Sequence, residues 1–133
     1  MEKKLKNILL IDDDEAVNYY HKLVISKLDI SHQVHVVENG MQALQFLAIC
    51  NNAPELIFLD INMPLMNGWE FLEEYKKINV ASKAEVVIVM LSTSLDPEDI
   101  RRSLMHDEID GFINKPLSEK ELKNIMNNHF GYL

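Results

Sequence analysis

Apolar residues in this chain follow two rhythms. Short, nearly continuous apolar runs at residues 7–11, 33–37, 56–59, 86–91 and 111–114 alternate with longer segments in which apolar positions recur every three or four residues. The first rhythm predicts strands buried on both faces and the second predicts amphipathic helices, so the alternation predicts a parallel sheet covered by helices. The helices are expected over residues 15–28, 41–49, 68–77, 97–106 and 119–129, with Ala16, Tyr19, Tyr20, Leu23 and Val24 forming the apolar set of the first. The chain thus reads as successive βα units in an α/β class.

Two helix starts are marked by capping chemistry as well as by period. Ser118-Glu-Lys-Glu121 is a capping box, in which the hydroxyl accepts from an amide one turn on and the glutamate reaches back. Asp96-Pro97 puts a side-chain acceptor at the N-cap and proline at the first helical position. Residues 78–84 are the least patterned stretch and read as a longer loop; no repeat or low-complexity linker divides the chain. Residues 1–133 are therefore expected to form one domain with no output domain behind it.

Composition narrows the class further. With 133 residues, 47% hydrophobic and 26% charged, the chain can bury a core without a metal or disulfide staple. Its 13 Lys and Arg against 21 Asp and Glu give a net charge of −8, which argues against unaided binding to nucleic acid or to an anionic membrane. Cys50 is alone, so no intramolecular disulfide and no Cys-x-x-Cys site is available. The apolar stretch near the start is cut off by Asp12, Asp13 and Asp14, too soon for a signal peptide, and the expected location is cytoplasmic.

In an open parallel sheet, right-handed crossovers bring all strand carboxyl ends to one edge, where ligands bind. The residues just past those ends are Asp12-Asp13-Asp14, Asp60, Ser92-Thr93-Ser94 and Lys115-Pro116. Each has an ordinary explanation: helix caps, a turn aspartate, a polar strand terminus, a surface lysine. Together they are harder to dismiss, because neighbouring carboxylates raise one another's pKa unless a cation joins them, and an all-oxygen set suits Mg²⁺. A carboxylate beside Mg²⁺ is a possible oxygen nucleophile toward phosphorus. Lys115 precedes proline, and a cis bond there would turn its side chain inward; the Ser92 hydroxyl is a donor for a phosphoryl oxygen.

The motifs Ile8-Leu-Leu-Ile-Asp-Asp-Asp14, Glu38-Asn-Gly-Met-Gln-Ala-Leu44, Leu59-Asp-Ile-Asn-Met-Pro-Leu-Met-Asn-Gly68, Val89-Met-Leu-Ser-Thr93 and Gly111-Phe-Ile-Asn-Lys-Pro116 occur in that order. Carrying them, the sequence resembles a single-domain response-regulator receiver domain, the phosphoacceptor module of two-component signalling. The resemblance implies a flavodoxin-like, doubly wound five-stranded parallel sheet of order 2-1-3-4-5 with five helices. It implies Asp60 as the aspartate that takes a phosphoryl group from phosphohistidine. Asp13 is similar to a direct Mg²⁺ ligand, Asp12 to a neighbour acting mainly through water on the metal, and Asn62 to the residue whose backbone carbonyl ligates it. Lys115 resembles the lysine that pairs with the phosphoryl group, Ser92 the hydroxyl that moves to it, and Phe112 the aromatic that then swings inward. Gly68 and Pro116 take structural places. The implied partners are a sensor histidine kinase or histidine phosphotransfer protein upstream and a protein downstream, with no nucleic acid or membrane, in a monomer or a weak phosphorylation-dependent dimer. The implied chemistry is slow loss of the chain's own acyl phosphate rather than multiple turnover.

Three residues depart from the family pattern. Thr93 stands where alanine is usual, Phe112 lacks the hydroxyl of the commoner tyrosine so that switching there works through packing, and the acids number three, leaving Asp14 as either a cap or a further acid of the site. A haloacid-dehalogenase-like phosphohydrolase is the enzymatic alternative, but it needs a second acid where Asn62 stands. A constitutive docking module is the other, and it has no use for clustered carboxylates. Asn62 and Ser94 are expected to flank the route of attacking water. His32 and His35 read as solvated side chains, and the stretch from Met63 to Met66 as loop and core packing.

Overall fold

The computed structural model describes residues 4–50, 53–78, 86–93 and 96–131. Ten elements alternate along it: β1 (Leu5–Ile11), α1 (Glu15–Leu28), β2 (Ser31–Val37), α2 (Gly40–Ile49), β3 (Leu56–Asp60), α3 (Gly68–Tyr75), β4 (Val87–Ser92), α4 (Pro97–Ser103), β5 (Ile109–Asn114) and α5 (Glu119–Phe130). The strands form one parallel sheet in the order β2-β1-β3-β4-β5. The expected α/β class, strand number and order therefore hold. Apart from Ile78, the expected loop at 78–84 lies outside the described residues, as does Ser94.

The central strands are apolar on both sides because both faces are covered. On one face Ile8, Leu10, Leu56, Phe58, Val89 and Leu91 pack with Val24 and Ile25 of α1 and Leu122, Ile125 and Met126 of α5. On the other, Leu9, Ile11, Ile57, Leu59, Ile88 and Met90 pack with Ala43 of α2 and with Trp69, Phe71, Leu72 and Tyr75 of α3. Burial of these side chains, at roughly 25 cal/mol per Å² of apolar surface, is what holds the layers together.

Element ends depart from the expected ones for local reasons. α3 and α4 stop short of residues 77 and 106. Beyond Tyr75 the amides of Lys77 and Ile78 bond to carbonyls three residues back, and beyond Ser103 those of Met105 and His106 do the same, so each last turn tightens out of the α form. β5 starts earlier than residue 111, because Ile109 pairs with Ile88 and Gly111 with Val89. Asp110 is the extra residue of that bulge, and its carboxylate accepts from Ile88 N at 3.0 Å, replacing the missing ladder bond. The caps at Ser118 and Asp96 form as expected, the first with its glutamate reaching back.

The apolar set expected on α1 does not face the core. Tyr19 and Leu23 are 68% and 51% exposed and Tyr20 is 44% exposed, while Asn18, His21, Val24 and Ile25 are buried. Val24 is the one member of that set in the core. Polar tertiary bonds hold the helix in this phase: Asn18 Nδ2 donates to the Asp12 carbonyl at 2.9 Å, and His21 Nε2 accepts from Leu117 N at 3.1 Å.

Gly68 closes the turn behind β3. Its amide donates to Ile61 O at 2.8 Å, and a Cβ there would stand 2.5 Å from the backbone oxygen of Asp60. Backbone cannot give way as a flexible side chain does. Gly68→Ala is therefore expected to destabilise the fold by about 1–3 kcal/mol, read from the urea unfolding midpoint; an unchanged midpoint would show that the turn relaxes freely.

Candidate functional site

Strand register assembles the site. Ile11 pairs with Leu59, Asp60 with Leu91, and Ser92 with Asn114, so the carboxyl ends of β1, β3, β4 and β5 reach the same edge of the sheet. Asp12 follows β1, Asp60 ends β3, Ser92 ends β4, and Lys115 follows β5. The Lys115 amide donates to Ser92 O at 2.7 Å, which fixes the last two against each other.

At that edge the buried Lys115 ammonium bridges two buried carboxylates, 2.6 Å from Asp12 Oδ2 and 2.8 Å from Asp60 Oδ1. The other oxygen of Asp12 is also engaged, Oδ1 accepting from Asp14 N at 3.0 Å. Asp12 is thereby held from three directions: by Lys115, by Asp14 N, and by Asn18 at its carbonyl. Asp13 is exposed beside them, and one oxygen from each of Asp12, Asp13 and Asp60 lies within 4.8 Å of the others.

Such oxygens cannot gather without electrostatic consequence. Burial pushes Asp60 up to about 6; the Lys115 hydrogen bond and charge oppose this, and Asp12 and Asp13 add like-charge repulsion. Burial by itself would lower Lys115, but its hydrogen bonds to Asp12 and Asp60 outweigh that and hold the ammonium above its ordinary range. The lysine stays charged, and one positive charge faces three acids. A donor set made only of oxygens, with one acid open to solvent, fits a hard divalent cation that keeps some of its water, as Mg²⁺ does.

The remaining candidate residues divide clearly. Asp14 is the helix cap: its carboxylate accepts from Ala16 N and Val17 N. Asn62 lies exposed in the turn just past Asp60, Ser92 is buried at the end of β4, and Thr93 next to it is exposed. Phe112 is half-buried on β5, packed against the cluster that contains Met90. The Lys115–Pro116 peptide is cis, and the Lys115 side chain does point inward. Met63 and Met66 pack against the core as expected. His32 is exposed and His35 is half-buried rather than fully solvated: its ring lies 4.9 Å from that of Phe46, and its Nε2 is 3.1 Å from Asn7 Oδ1. Asn18 and His21 were not anticipated. Their signal was their spacing, since 18 and 21 are in phase with the buried Val24 and Ile25.

The response regulator receiver domain family model matches residues 8–127. A two-component response regulator from Cytophaga hutchinsonii superposes with a TM-score of 0.89 at 32% identity, over 97% of this chain and 99% of that one. The phosphorylated cyanobacterial phytochrome response regulator RcpA does so with a TM-score of 0.77 at 28% identity, over 93% of each chain. In sequence, the CpxR homolog of Haemophilus influenzae, a transcriptional regulatory protein, is 32% identical over 89% of this chain. The chain spans 47% of that protein and 11% of the sensor histidine kinase TmoS of Ectopseudomonas mendocina. No helix among the described residues is long and apolar enough to cross a membrane. With the family's domain running over nearly the whole sequence, on the fold and strand-end acids described above, the chain belongs to the response regulator receiver domains of two-component signalling.

Proposed function

We propose that Asp60 is the phosphoacceptor of this chain and that its modification is the signal. The observation that carries the reading is the Lys115 ammonium held 2.8 Å from a buried Asp60 inside a cluster of acids. A carboxylate oxygen of Asp60 attacks the phosphorus of a phosphohistidine donor; the P–N bond breaks, the imidazole leaves, and an acyl phosphate remains. Asp12, Asp13 and Asp60, with the backbone carbonyl of Asn62, would hold Mg²⁺. When bound, that ion neutralises charge on the transferring group and lets it approach the acids. Lys115 pairs with the incoming phosphoryl oxygens, and Ser92 donates its hydroxyl to them.

Drawing Ser92 toward the phosphoryl group vacates volume beside β5. Phe112 lines a groove of about 320 Å³ together with Ile100, Ser103 and Leu104, so its ring has space to change position. The face built from α4, β5 and α5 is then the output, read by a protein partner or used in onward phosphotransfer. Moving the population from 1:99 to 99:1 takes roughly 5.5 kcal/mol of differential contact, within reach of a few charge-assisted bonds in a partly dry site. The domain turns over only by slow loss of its own acyl phosphate. It is not a multiple-turnover enzyme, and it acts as a monomer or as a weak dimer that forms on phosphorylation. A histidine kinase or histidine phosphotransfer protein is the donor.

Incubation with Mg²⁺ and a small acyl phosphate, followed by intact mass, is expected to show the gain of one phosphoryl group, abolished in Asp60→Asn and by chelation. No gain under conditions that load another receiver domain would overturn the assignment. In Lys115→Ala, modification is expected to be slower than in the parent protein and to occur without the change in Phe112 mobility that NMR should report there; normal coupling would remove Lys115 from the switch.

Keeping the nucleophile ionised also has a cost that can be measured. The carboxyl of Asp60 titrates near 3.8 when unfolded and at about 6 when folded, so above pH 4 the unfolded chain sheds this proton first. Stability contributed by the protonated carboxyl is present below about pH 4 and lost as pH rises through about 6. In metal-free buffer Asp60→Asn is expected to be more stable than the parent by about 1–3 kcal/mol at pH 7.5, with the gap closing toward pH 4. Urea unfolding at the two pH values checks this, and a gap that does not depend on pH would mean that ionisation is not its source.

A further inference from the structure

α1 touches both limbs of the site through polar side chains on its buried face. Asn18 Nδ2 donates to the carbonyl of Asp12, and three residues on His21 Nε2 accepts from the amide of Leu117. Leu117 is two residues past Lys115, with its side chain fully buried, and the next residue, Ser118, caps α5. On its other side Lys115 is tied by its own amide to Ser92 O. A closed circuit results, running from Asp12 through α1 to Leu117, back along the chain to Lys115, and across the ion pair to Asp12.

We propose that His21 is a positioning residue for phosphoryl transfer: by accepting the Leu117 amide it holds the Lys115–Leu117 segment against α1, so that the Lys115 ammonium stands between Asp12 and Asp60. This rests on the role given to Lys115 above. An N–H donor requires a lone pair on Nε2, so the ring is neutral with its proton on Nδ1. Burial, which leaves His21 1% exposed, lowers its pKa and favours that neutral form, Asp12 opposing and Lys115 reinforcing. An apolar side chain here would pack equally well but would leave the Leu117 amide buried without a partner. The polar residue is what the segment needs, which accounts for a histidine beside Val24 and Ile25 on the buried face that also carries Asn18.

The test compares His21→Leu, which fills the space without an acceptor, with His21→Gln, whose amide oxygen reaches about where Nε2 stands. Two readouts are taken on each full chain: the NMR signal of the Lys115 side chain without donor, and the rate of phosphoryl gain against concentration of a small acyl phosphate with Mg²⁺ saturating. His21→Leu is expected to move the Lys115 signal and to slow the saturating rate roughly ten- to a hundredfold, the cost of a misplaced catalytic group, with donor half-saturation little changed. His21→Gln is expected to restore both. In the parent protein, ¹⁵N spectra should place the imidazole proton on Nδ1. Equal loss in the two variants, an unmoved Lys115 signal in His21→Leu, or a proton on Nε2 would overturn the proposal. Absence of any phosphoryl gain by the parent would defeat the phosphoacceptor reading, while the Lys115 signal would still decide whether His21 positions it.

Discussion

One lysine lets buried acids share a pocket. The Lys115 ammonium lies within hydrogen-bond distance of both Asp12 and Asp60, and these side chains are nearly inaccessible to water. Buried carboxylates without a partner would have to give up their charge or leave the interior. The pairing is therefore what allows the strand ends to carry chemistry instead of more core. It is also incomplete, because Asp60 remains hard to ionise while Lys115 remains firmly charged. A site left short of positive charge is one that a cation, and then a phosphoryl group with its own compensating contacts, can change.

The sheet supplies the reach that the interaction requires. Asp12 and Lys115 are 103 residues apart, and only the parallel register, with β1 and β3 adjacent and β4 beside β5, brings their carboxyl ends to one edge. Apolar side chains packed on both faces lock that register, since a slip of one residue would move every side chain from one helix layer to the other. Stability and reactivity are separated in space: β3 and β4 are apolar up to a polar last residue, Asp60 and Ser92, and β1 runs apolar from Ile8 to Ile11 with Asp12 just past its end. Gly68 belongs to the same arrangement, allowing the chain to fold back tightly behind the residue that ends β3.

Much of this was legible in the sequence, for reasons that particular residues make plain. The buried strands announced themselves as apolar runs, because being covered on two sides leaves no polar face to disguise them. Asp12, Asp60, Ser92 and Lys115 stood out because each breaks such a run at its carboxyl end. Hidden from sequence was whatever depends on a partner far along the chain. The first helix carries two candidate stripes, and apolar content favoured the wrong one: Tyr19 and Leu23 face solvent, while Asn18 and His21 lie inside. Hydrophobicity could not reveal that a carbonyl and an amide from other elements were waiting for those polar groups. His35 follows the same logic, its surroundings being set by Phe46 and Asn7.

Asn18 and His21 change what holds the site in place. If only the acids and the lysine mattered, the geometry would rest on two ion pairs, which are directionally soft and sensitive to what else binds there. Asn18 and His21 make directional hydrogen bonds to backbone, and both come from one rigid helix of 14 residues. Neither bond involves the Asp60 carboxylate, so on the proposed function both can persist while Lys115 exchanges a carboxylate partner for a phosphoryl one. A switch needs a part that moves and a frame that does not. Phe112 lines the groove beside α4, and the opposite flank, along α1, is tied to backbone by Asn18 and His21. On the proposed function, motion that starts at Asp60 would be taken up on the α4 and β5 side, where Phe112 lines a groove, rather than along α1.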